Sequence, residues 1–216
     1  MRDFVQLTGM VLKTSSLGEF DKRLVILTRE RGKITVFARG VRKQNSRFMA
    51  ACAPFSFGEF KLFEGKDAYT MIEASIQNYF DELRCDVVGV CYGSYFLEIA
   101  DYYTRENNDE AKMLKLLYIS LRALLKEQLP DSLIRAVFEL KSIMLNGEFP
   151  GPSYAGNISQ TCEYTMNYIE NTPLEKLYSF TLKQDALEEL SRVSQYYCHQ
   201  IMNTNFKSLT ILETLV

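Results

Sequence analysis

The sequence predicts an α+β protein in which a five-stranded β-barrel of the OB type precedes an all-helical C-terminal domain. Three observations favour this architecture. Short runs of alternating apolar and polar residues fill roughly the first 80 positions, and beyond them apolar residues recur every three or four positions. The formal charge changes sign at the same place, because residues 1–80 carry 13 basic and 8 acidic side chains whereas residues 81–216 carry 12 and 19.

The first domain, which we expect over residues 1–79, contains five predicted strands. The second and third flank a polar turn that contains Gly32, the pattern of a β-hairpin. The fourth shifts its apolar phase at Gly58, which indicates a β-bulge. Five short strands in about 75 residues with no helical period between them favour a closed or nearly closed barrel. The predicted strands cover residues 5–11, 25–28, 34–38, 55–63 and 69–76.

The second domain, which we expect over residues 80–216, contains four series of apolar residues at helical spacing. Pro130–Asp131–Ser132 separates two of these helices and supplies caps. Residues 206–215 predict a short final helix. Glycines, prolines and asparagines interrupt the pattern at about 147–173, which we interpret as an irregular insertion. The four series are Val88–Tyr102, Leu114–Leu124, Leu133–Met144 and Leu187–Ile201.

Composition narrows the class of protein. Hydrophobic residues make up 47% of the 216 residues, enough for a sizeable core. No run of 18 apolar residues occurs and the N-terminus lacks the apolar region of a signal peptide, so we expect a cytoplasmic location. The five cysteines form no C-x-x-C pair and are expected to be small buried free thiols.

Basic residues are concentrated in one short segment of the predicted barrel. Nine of the 26 residues at positions 22–47 are basic and only Glu30 opposes them. Such an asymmetry is typical of a surface that meets phosphate. The basic residues are Lys22, Arg23, Arg29, Arg31, Lys33, Arg39, Arg42, Lys43 and Arg47.

The alternation of the third strand predicts where these charges point. If Ile34 and Val36 fill the barrel, Phe37 and Arg39 face outward together. Arg39 leads into a polar loop, 40–47, whose cations can follow a phosphate backbone. Two alternatives stay open. One is an ordinary solvated surface for the charges, and the other is core or interdomain packing for Phe37 instead of a role as a stacking platform.

Nothing in the sequence indicates an enzyme or a cofactor. No phosphate-binding glycine motif occurs. Asp81, Glu82 and Asp86 could hold magnesium, but acids at that place are more typical of helix N-termini. His199 and Cys198 are adjacent, so they point to different helix faces and make a poor catalytic pair, and we expect His199 to be a partly buried structural residue.

Three segments of the basic region and one segment of the tail resemble a known family. Residues 18–24 (GEFDKRL), 28–33 (TRERGK) and 38–47 (ARGVRKQNSR) resemble the N-terminal OB domain of the RecO family of recombinational repair proteins. Residues 205–212 (NFKSLTIL) resemble the C-terminal signature of that family. The helical middle matches the family only in pattern and length.

The resemblance implies a recombination mediator in DNA repair, associated with the nucleoid. Such proteins bind single- and double-stranded DNA, anneal complementary strands, bind the acidic C-terminal tail of single-strand binding protein and, with RecR, help load RecA. Competing hypotheses are an OB-fold RNA-binding module and a non-enzymatic interaction scaffold. The resemblance assigns DNA contact to eight residues. The strongest candidates are Arg39, Arg42, Lys43 and Arg47, and the others are Lys22, Arg23, Arg31 and Lys33.

The sequence departs from the family in one respect. Many RecO proteins hold zinc with two cysteine pairs after the helix that corresponds to residues 135–145, whereas this chain has only Cys162 there. Structural zinc normally requires four Cys or His ligands, so we predict that no metal is bound. The insertion would then be held by packing, with Tyr154, Tyr164, Tyr168 and Ile169 as candidates, or would remain a mobile loop.

Overall fold

The structure is a computed structural model that describes residues 4–44, 46, 48–66 and 68–215. By its internal contacts the chain separates into two compact units. The barrel unit consists of Met1–Asp81 and Ala100–Leu114, and the helical unit consists of Glu82–Ile99 and Lys115–Val216. No helix in the described ranges is long and apolar enough to cross a membrane. A domain boundary between residues 79 and 80 stays a prediction.

Five strands form the closed barrel that the sequence predicts, and helices follow it, so the α+β assignment is confirmed. The strand order around the barrel is β1-β2-β3-β5-β4, with β1 and β4 closing the ring. Only the β3–β5 pair is parallel, and the others are antiparallel. The strands are β1 Phe4–Leu17, β2 Asp21–Thr28, β3 Gly32–Ala38, β4 Phe57–Glu64 and β5 Tyr69–Asn78.

Alternating side chains fill the barrel, as the period of a β-strand requires. Leu24, Ile26, Ile34 and Val36 are among the residues buried in its core. The predicted bulge is confirmed, because the register of β4 against β5 shifts between Phe57 and Gly58. A Cβ atom added to Gly58 would lie 2.2 Å from the carbonyl oxygen of Ser75, so this close approach of two strands needs a glycine.

A second piece of chain completes the barrel unit. Gly32, the first residue of β3, forms a β-bridge with Glu106. The backbone N–H of Lys33 donates to the carbonyl of Arg105 at 3.0 Å, and that of Asn107 donates to the carbonyl of Arg31 at 3.0 Å. Gly32 has φ +65°, and an added Cβ would lie 2.3 Å from the Arg105 carbonyl oxygen. The segment from 105 to 107 is therefore fastened to the β2–β3 turn by its backbone.

Seven α-helices occur among the described residues. The four apolar series predicted from the sequence lie in α2, α3, α4 and α6, and the predicted final helix is α7. Helix α4 is buried along most of its length and packs on α5 and α6. The helices are α1 Asp81–Cys85, α2 Val87–Tyr103, α3 Ala111–Ala123, α4 Asp131–Leu145, α5 Gln160–Asn171, α6 Gln184–Ile201 and α7 Lys207–Leu212.

Helix α5 corrects the expectation of an irregular insertion, which was wrong over residues 160–171. The Ser159 hydroxyl caps the helix by accepting from the backbone N–H of Cys162 at 3.1 Å. Cys162, Met166 and Ile169 recur at helical spacing and are buried. Tyr164, one of the aromatic residues expected to hold the insertion, is 71% exposed. The glycine- and proline-rich start of the insertion hid this helical period.

A buried lysine ties the C-terminal end of α5 to α4. The Lys141 ammonium donates to the carbonyl oxygens of Ile169, Glu170 and Thr172 at 2.7, 2.8 and 3.2 Å. The last carbonyls of a helix lack partners within the helix and carry a partial negative charge, so a cation there is favourable. The insertion is thus held by an ammonium group as well as by apolar packing.

Candidate nucleic-acid interface

The outward face of β3 carries part of the basic segment. Ile34, Val36 and Ala38 are buried, whereas the intervening residues of the strand are partly exposed. Phe37 therefore points away from the core, and Arg39, two residues further on, is exposed. Arg23, on β2, is exposed and lies directly opposite Phe37 in the ladder. The outward orientation that the strand alternation predicts for Phe37 is confirmed, and Arg39 is exposed just beyond the end of the strand.

The chain that follows β3 packs against the turn between β1 and β2. The Gly40 N–H donates to the Asp21 carboxylate at 2.8 Å. The Arg42 N–H donates to the Phe20 carbonyl at 2.9 Å, and the Arg42 guanidinium reaches the Gly18 carbonyl at 3.4 Å. These bonds bring two loops that are separated in sequence into one exposed surface.

This surface combines cations with an aromatic ring. Phe20 is 41% exposed, and the Lys43 ammonium lies 5.7 Å from the centre of its ring. Arg39 forms no hydrogen bond or ion pair with any residue that the structure describes. Arg47 lies outside the described residues. We call Phe20, Arg39, Arg42 and Lys43 the basic loop surface.

The other predicted contacts are spread along the barrel. Arg31 lies at the far end of β3, with its guanidinium 4.0 Å from the Glu64 carboxylate. From Lys33 to Arg39 the strand extends about 20 Å, at about 3.3 Å per residue. The eight predicted residues therefore do not form one cluster, since Arg31 and Lys33 lie about a strand length from the basic loop surface.

Lys22 occupies the inward phase of β2, opposite Ala38. Burial raises the pKa of the nearby Cys52 thiol to about 11, and the positive charge of Lys22 offsets only part of that rise. Cys52 consequently stays protonated and unreactive at neutral pH. Lys22 is partly exposed, so its ammonium retains access to solvent at the end of the barrel.

A groove of about 770 Å³ runs along the outer face of β1, β2 and β3. Lys13, Arg23 and Lys33 line it, together with Asp101 and Arg105. The Lys13 ammonium lies 2.5 Å from one oxygen of the Asp101 carboxylate, and the Lys33 ammonium lies 3.1 Å from the other. Lys33 also donates to the Asp101 backbone carbonyl at 2.6 Å. Lys33 is therefore a predicted contact that is already engaged within the barrel unit.

Four residues of these surfaces were not predicted from the sequence: Lys13, Asp101, Arg105 and Phe20. Lys13 precedes the basic segment, and Arg105 and Asp101 lie far beyond it. Arg105 donates to the carbonyls of Tyr102 and Thr104 at 2.6 and 2.8 Å, so its guanidinium fastens the end of α2. Phe20 was part of the quoted family motif, and its position between two predicted strands was the available signal for an exposed turn.

The helical unit contains a smaller pocket of about 280 Å³ beside a buried ionic network. The Glu139 carboxylate, which is fully buried, accepts from Arg135 Nε, Tyr95 Oη and Ser194 Oγ at 2.8, 2.8 and 2.7 Å. Burial and the charge of Glu139 raise the pKa of Tyr95 well above its ordinary value, so its hydroxyl remains a donor. Arg135 lines the pocket, as do Met202, Phe206 and Leu209.

Two of the residues considered for metal binding or catalysis, Asp86 and His199, can be placed in the structure. Asp86 accepts from the Val88 N–H at 3.1 Å and so caps α2. His199 is exposed, so the expectation of a partly buried histidine was wrong. Within the described ranges no three His, Cys, Asp or Glu side chains are placed to hold a metal ion. The absence of zinc stays a prediction.

The cysteines follow the expectation of buried free thiols only in part. Cys52, Cys162 and Cys198 are buried, whereas Cys91 is partly exposed and Cys85 is exposed. Burial, reinforced by the charge of Glu189, raises the pKa of Cys162 to about 11. Cys162 therefore stays protonated at neutral pH in the protein as described.

The chain is similar to known proteins over most of its length. Residues 1–80 match the family model "Recombination protein O N terminal", and residues 84–151 match "Recombination protein O C terminal". The DNA repair protein RecO of Acetivibrio thermocellus is 26% identical over 99% of this chain and 98% of the relative. That of Alkaliphilus metalliredigens is 33% identical over 73% and 64%. That of Clostridium acetobutylicum is 28% identical over 96% of each chain.

Proposed function

Since this chain belongs to the recombination protein O (RecO) family of DNA repair and recombination, we propose that it is a recombination mediator that acts by binding rather than by catalysis. It binds single- and double-stranded DNA and anneals complementary strands. With RecR it helps RecA replace single-strand binding protein on a strand. The observation that carries the proposal is the basic loop surface, where cations and an exposed aromatic ring lie together.

Phosphate binding is assigned to Arg39, Arg42 and Lys43, with Arg47 from the same loop. Arg39, Arg42 and Lys43 are exposed, and no acidic side chain pairs with any of the three among the described residues. A cation without an acidic partner has no ion pair to break when it binds a phosphate. Four such contacts correspond to a slope of about −2.8 for the logarithm of single-strand affinity against the logarithm of salt concentration.

Base contact is assigned to Phe20, with Phe37 as a second platform. Phe20 presents an exposed ring beside the phosphate-binding cations, which is the combination found in single-strand binding surfaces. Phe37 lies across from the exposed Arg23 on the outer face of the sheet. Annealing follows from the same surface, because cations that neutralise phosphates reduce the repulsion between two approaching strands.

We assign binding of the acidic C-terminal tail of single-strand binding protein to the pocket of the helical unit. Arg135 lines this pocket and, among the described residues, only its Nε bonds to Glu139. The remaining guanidinium nitrogens suit a carboxylate, and Met202, Phe206 and Leu209 supply apolar contact beside them. The pocket thus matches a peptide that ends in apolar and acidic groups.

The test is a titration of a fluorescently labelled oligothymidine with the full chain at several salt concentrations. We expect binding whose affinity falls with a slope of about −3 to −4, because further cations add to the four of the loop. Complementary strands coated with single-strand binding protein should then anneal faster in the presence of the protein. Tight binding of structured RNA without annealing would favour the RNA-binding alternative, and the absence of nucleic-acid binding would favour the scaffold.

A further inference from the structure

Two lysines of the groove share one carboxylate. Lys13 on β1 and Lys33 on β3 lie on either side of Asp101, which projects from α2, and each ammonium contacts a different carboxylate oxygen. The Asp101 side chain is 20% exposed and that of Lys13 is 54% exposed. The arrangement is therefore partly open to solvent rather than a closed internal ion pair.

We propose that Lys13 and Lys33 form a phosphate-binding site of the groove, and that the Asp101 carboxylate occupies this site until a DNA phosphate displaces it. The inference rests on the proposed function, because it takes the ligand to be a phosphodiester of DNA. Asp101 acts as an internal competitor that lowers DNA affinity, and Lys13 is a DNA contact that lies outside the basic segment.

The chemistry of the two anions makes the exchange feasible. Carboxylate and phosphodiester groups both accept hydrogen bonds from an ammonium group through negatively charged oxygens. Burial disfavours the charged form of Asp101, but the hydrogen bonds and charges of Lys13 and Lys33 outweigh it and lower its pKa below the ordinary value. Asp101 is consequently ionised at neutral pH and able to compete with phosphate.

The surroundings of the pair favour a ligand site over a purely structural bond. The groove also contains Arg23, which is exposed and makes no ion pair within the part of the chain that the structure describes. Ser15 and Thr35 add hydroxyl groups to its walls. Arg23 lies opposite Phe37, whose strand leads to the basic loop surface, so a strand bound there has a continuous path into the groove.

The experiment measures oligothymidine affinity and its salt dependence for the full chain with Asp101→Asn. This variant keeps the side-chain shape and removes the competing charge. We expect affinity to rise about fivefold, the factor for two partly exposed ion pairs that no longer have to be broken. The salt slope should change little, because Lys13 and Lys33 contact phosphate in the bound state of both proteins.

A matched control separates this effect from net charge. Asp185→Asn, at an exposed position in α6, changes the net charge by the same amount and should leave affinity within about twofold. In a protein that already carries Lys13→Gln and Lys33→Gln, the further substitution Asp101→Asn should not raise the affinity for oligothymidine. A gain that persists there, an equal gain in the Asp185 variant or a loss of affinity in the Asp101 variant would overturn the proposal.

A measurement on the unmodified protein covers the case in which Asp101→Asn does not fold. Amine acetylation read by mass spectrometry should label Lys13 in the free protein and label it less when oligothymidine is bound. Unchanged labelling of Lys13 with DNA bound contradicts the inference alone. Failure of the unmodified protein to bind oligothymidine contradicts the proposed function, and the inference falls with it.

Discussion

Two cations of the barrel unit and two cations of the helical unit have opposite surroundings. Arg23 and Arg39 are exposed, and the structure gives them no acidic partner among the described residues. Arg135 and Lys141 are buried, and each is engaged by oxygens of the helical unit. All four side chains carry the same charge, so the sequence alone does not distinguish them. Internal partners separate Arg23 and Arg39, whose charges are open to DNA, from Lys141, whose charge is used by the fold. Arg135 combines both situations, since its Nε bonds to Glu139 and the residue also lines the pocket.

This difference predicts which measurement each substitution changes. A buried cation that has lost its partner still bears the cost of desolvation. Removing the partner therefore lowers the free energy of unfolding. Removing an exposed cation changes the stability of the fold little, so we expect the effect on DNA affinity instead. A cation substitution that lowered both the free energy of unfolding and DNA affinity would contradict this comparison.

The largest expected effect is on stability, for Glu139→Ala. The substitution leaves the Arg135 charge without compensation and the hydroxyls of Tyr95 and Ser194 without their acceptor. The free energy of unfolding should fall by about 3–5 kcal/mol. Urea denaturation followed by far-ultraviolet circular dichroism measures the change. The control Glu188→Ala, at an exposed position in α6, should cost less than about 0.5 kcal/mol; an equal loss in both variants would contradict the role of the network.

The next effect is on binding, for the variant with Arg39, Arg42, Lys43 and Arg47 all changed to Ala. Affinity for oligothymidine should fall about 100-fold, or about 2.7 kcal/mol, at moderate salt, and the salt slope should become less steep by about 2.8. The free energy of unfolding should change little, because the described members of the set are exposed.

A matched variant tests the position of these charges rather than their number. Arg122, Lys126, Lys176 and Lys183 are four exposed cations of the helical unit. Their joint replacement by Ala alters the net charge equally and should leave the salt slope unchanged. A folded basic-loop variant that binds like the unmodified protein would rule out the assigned surface.

An intermediate effect on stability is expected for Lys141→Met, which keeps most of the side-chain volume. Three carbonyl oxygens at the end of α5 lose their ammonium donor, and the free energy of unfolding should fall by about 2 kcal/mol. Hydrogen exchange of the α5 amides should speed up. Lys126→Met, at an exposed site, serves as the control. Unchanged exchange in α5 would show that apolar packing alone holds the insertion.

A smaller effect concerns pH and tests the carboxylate that two barrel cations share. Burial opposes ionisation of Asp101, but Lys13 and Lys33 hold its pKa below the ordinary value. Its contribution to stability is therefore present above the unfolded pKa of about 3.9 and is lost as pH falls through the lower folded pKa. Between pH 6 and pH 3 the unmodified protein should lose up to about 1 kcal/mol more than Asp101→Asn. Parallel curves for the two proteins would show that the ion pairs do not stabilise the fold.

No effect is expected from removal of metal. The insertion is held by Lys141 and by buried apolar residues of α5, so a chelator should leave the melting temperature unchanged. Elemental analysis should find only traces of zinc. About one zinc per chain would contradict this prediction and would require ligands that the sequence pattern does not indicate.

The strands were predictable where they face the core and not where they extend beyond it. Because alternate residues are buried in the core, apolar residues alternate in the sequence. This alternation predicted the barrel and the bulge at Gly58. Strands β1 and β2 continue as a polar ribbon in which Ser15 pairs with Arg23 and Leu17 with Asp21. Backbone pairing outside the core imposes no apolar pattern, so this extension was missed.

The candidate site was predictable as a run of charge but not as a set of contacts. Arg39, Arg42 and Lys43 are neighbours in sequence, and the structure keeps them on one surface. The ion pair of Lys33 with Asp101 joins residues 68 positions apart, and no local pattern signals it. The exposure of Phe20 likewise depends on how two turns meet. Pairings between distant segments are what the sequence left undetermined.

The fastening of residues 105–107 to the β2–β3 turn has a consequence for how the protein is made. The barrel unit includes Ala100–Leu114, so some 33 residues beyond Asp81 must leave the ribosome before this unit is complete. At bacterial rates of about 5–20 residues per second, that interval is roughly 2–7 seconds. During it the nascent β2–β3 turn lacks the strand partner of Gly32, and a chain ended at residue 80 would be held in the same unfinished state.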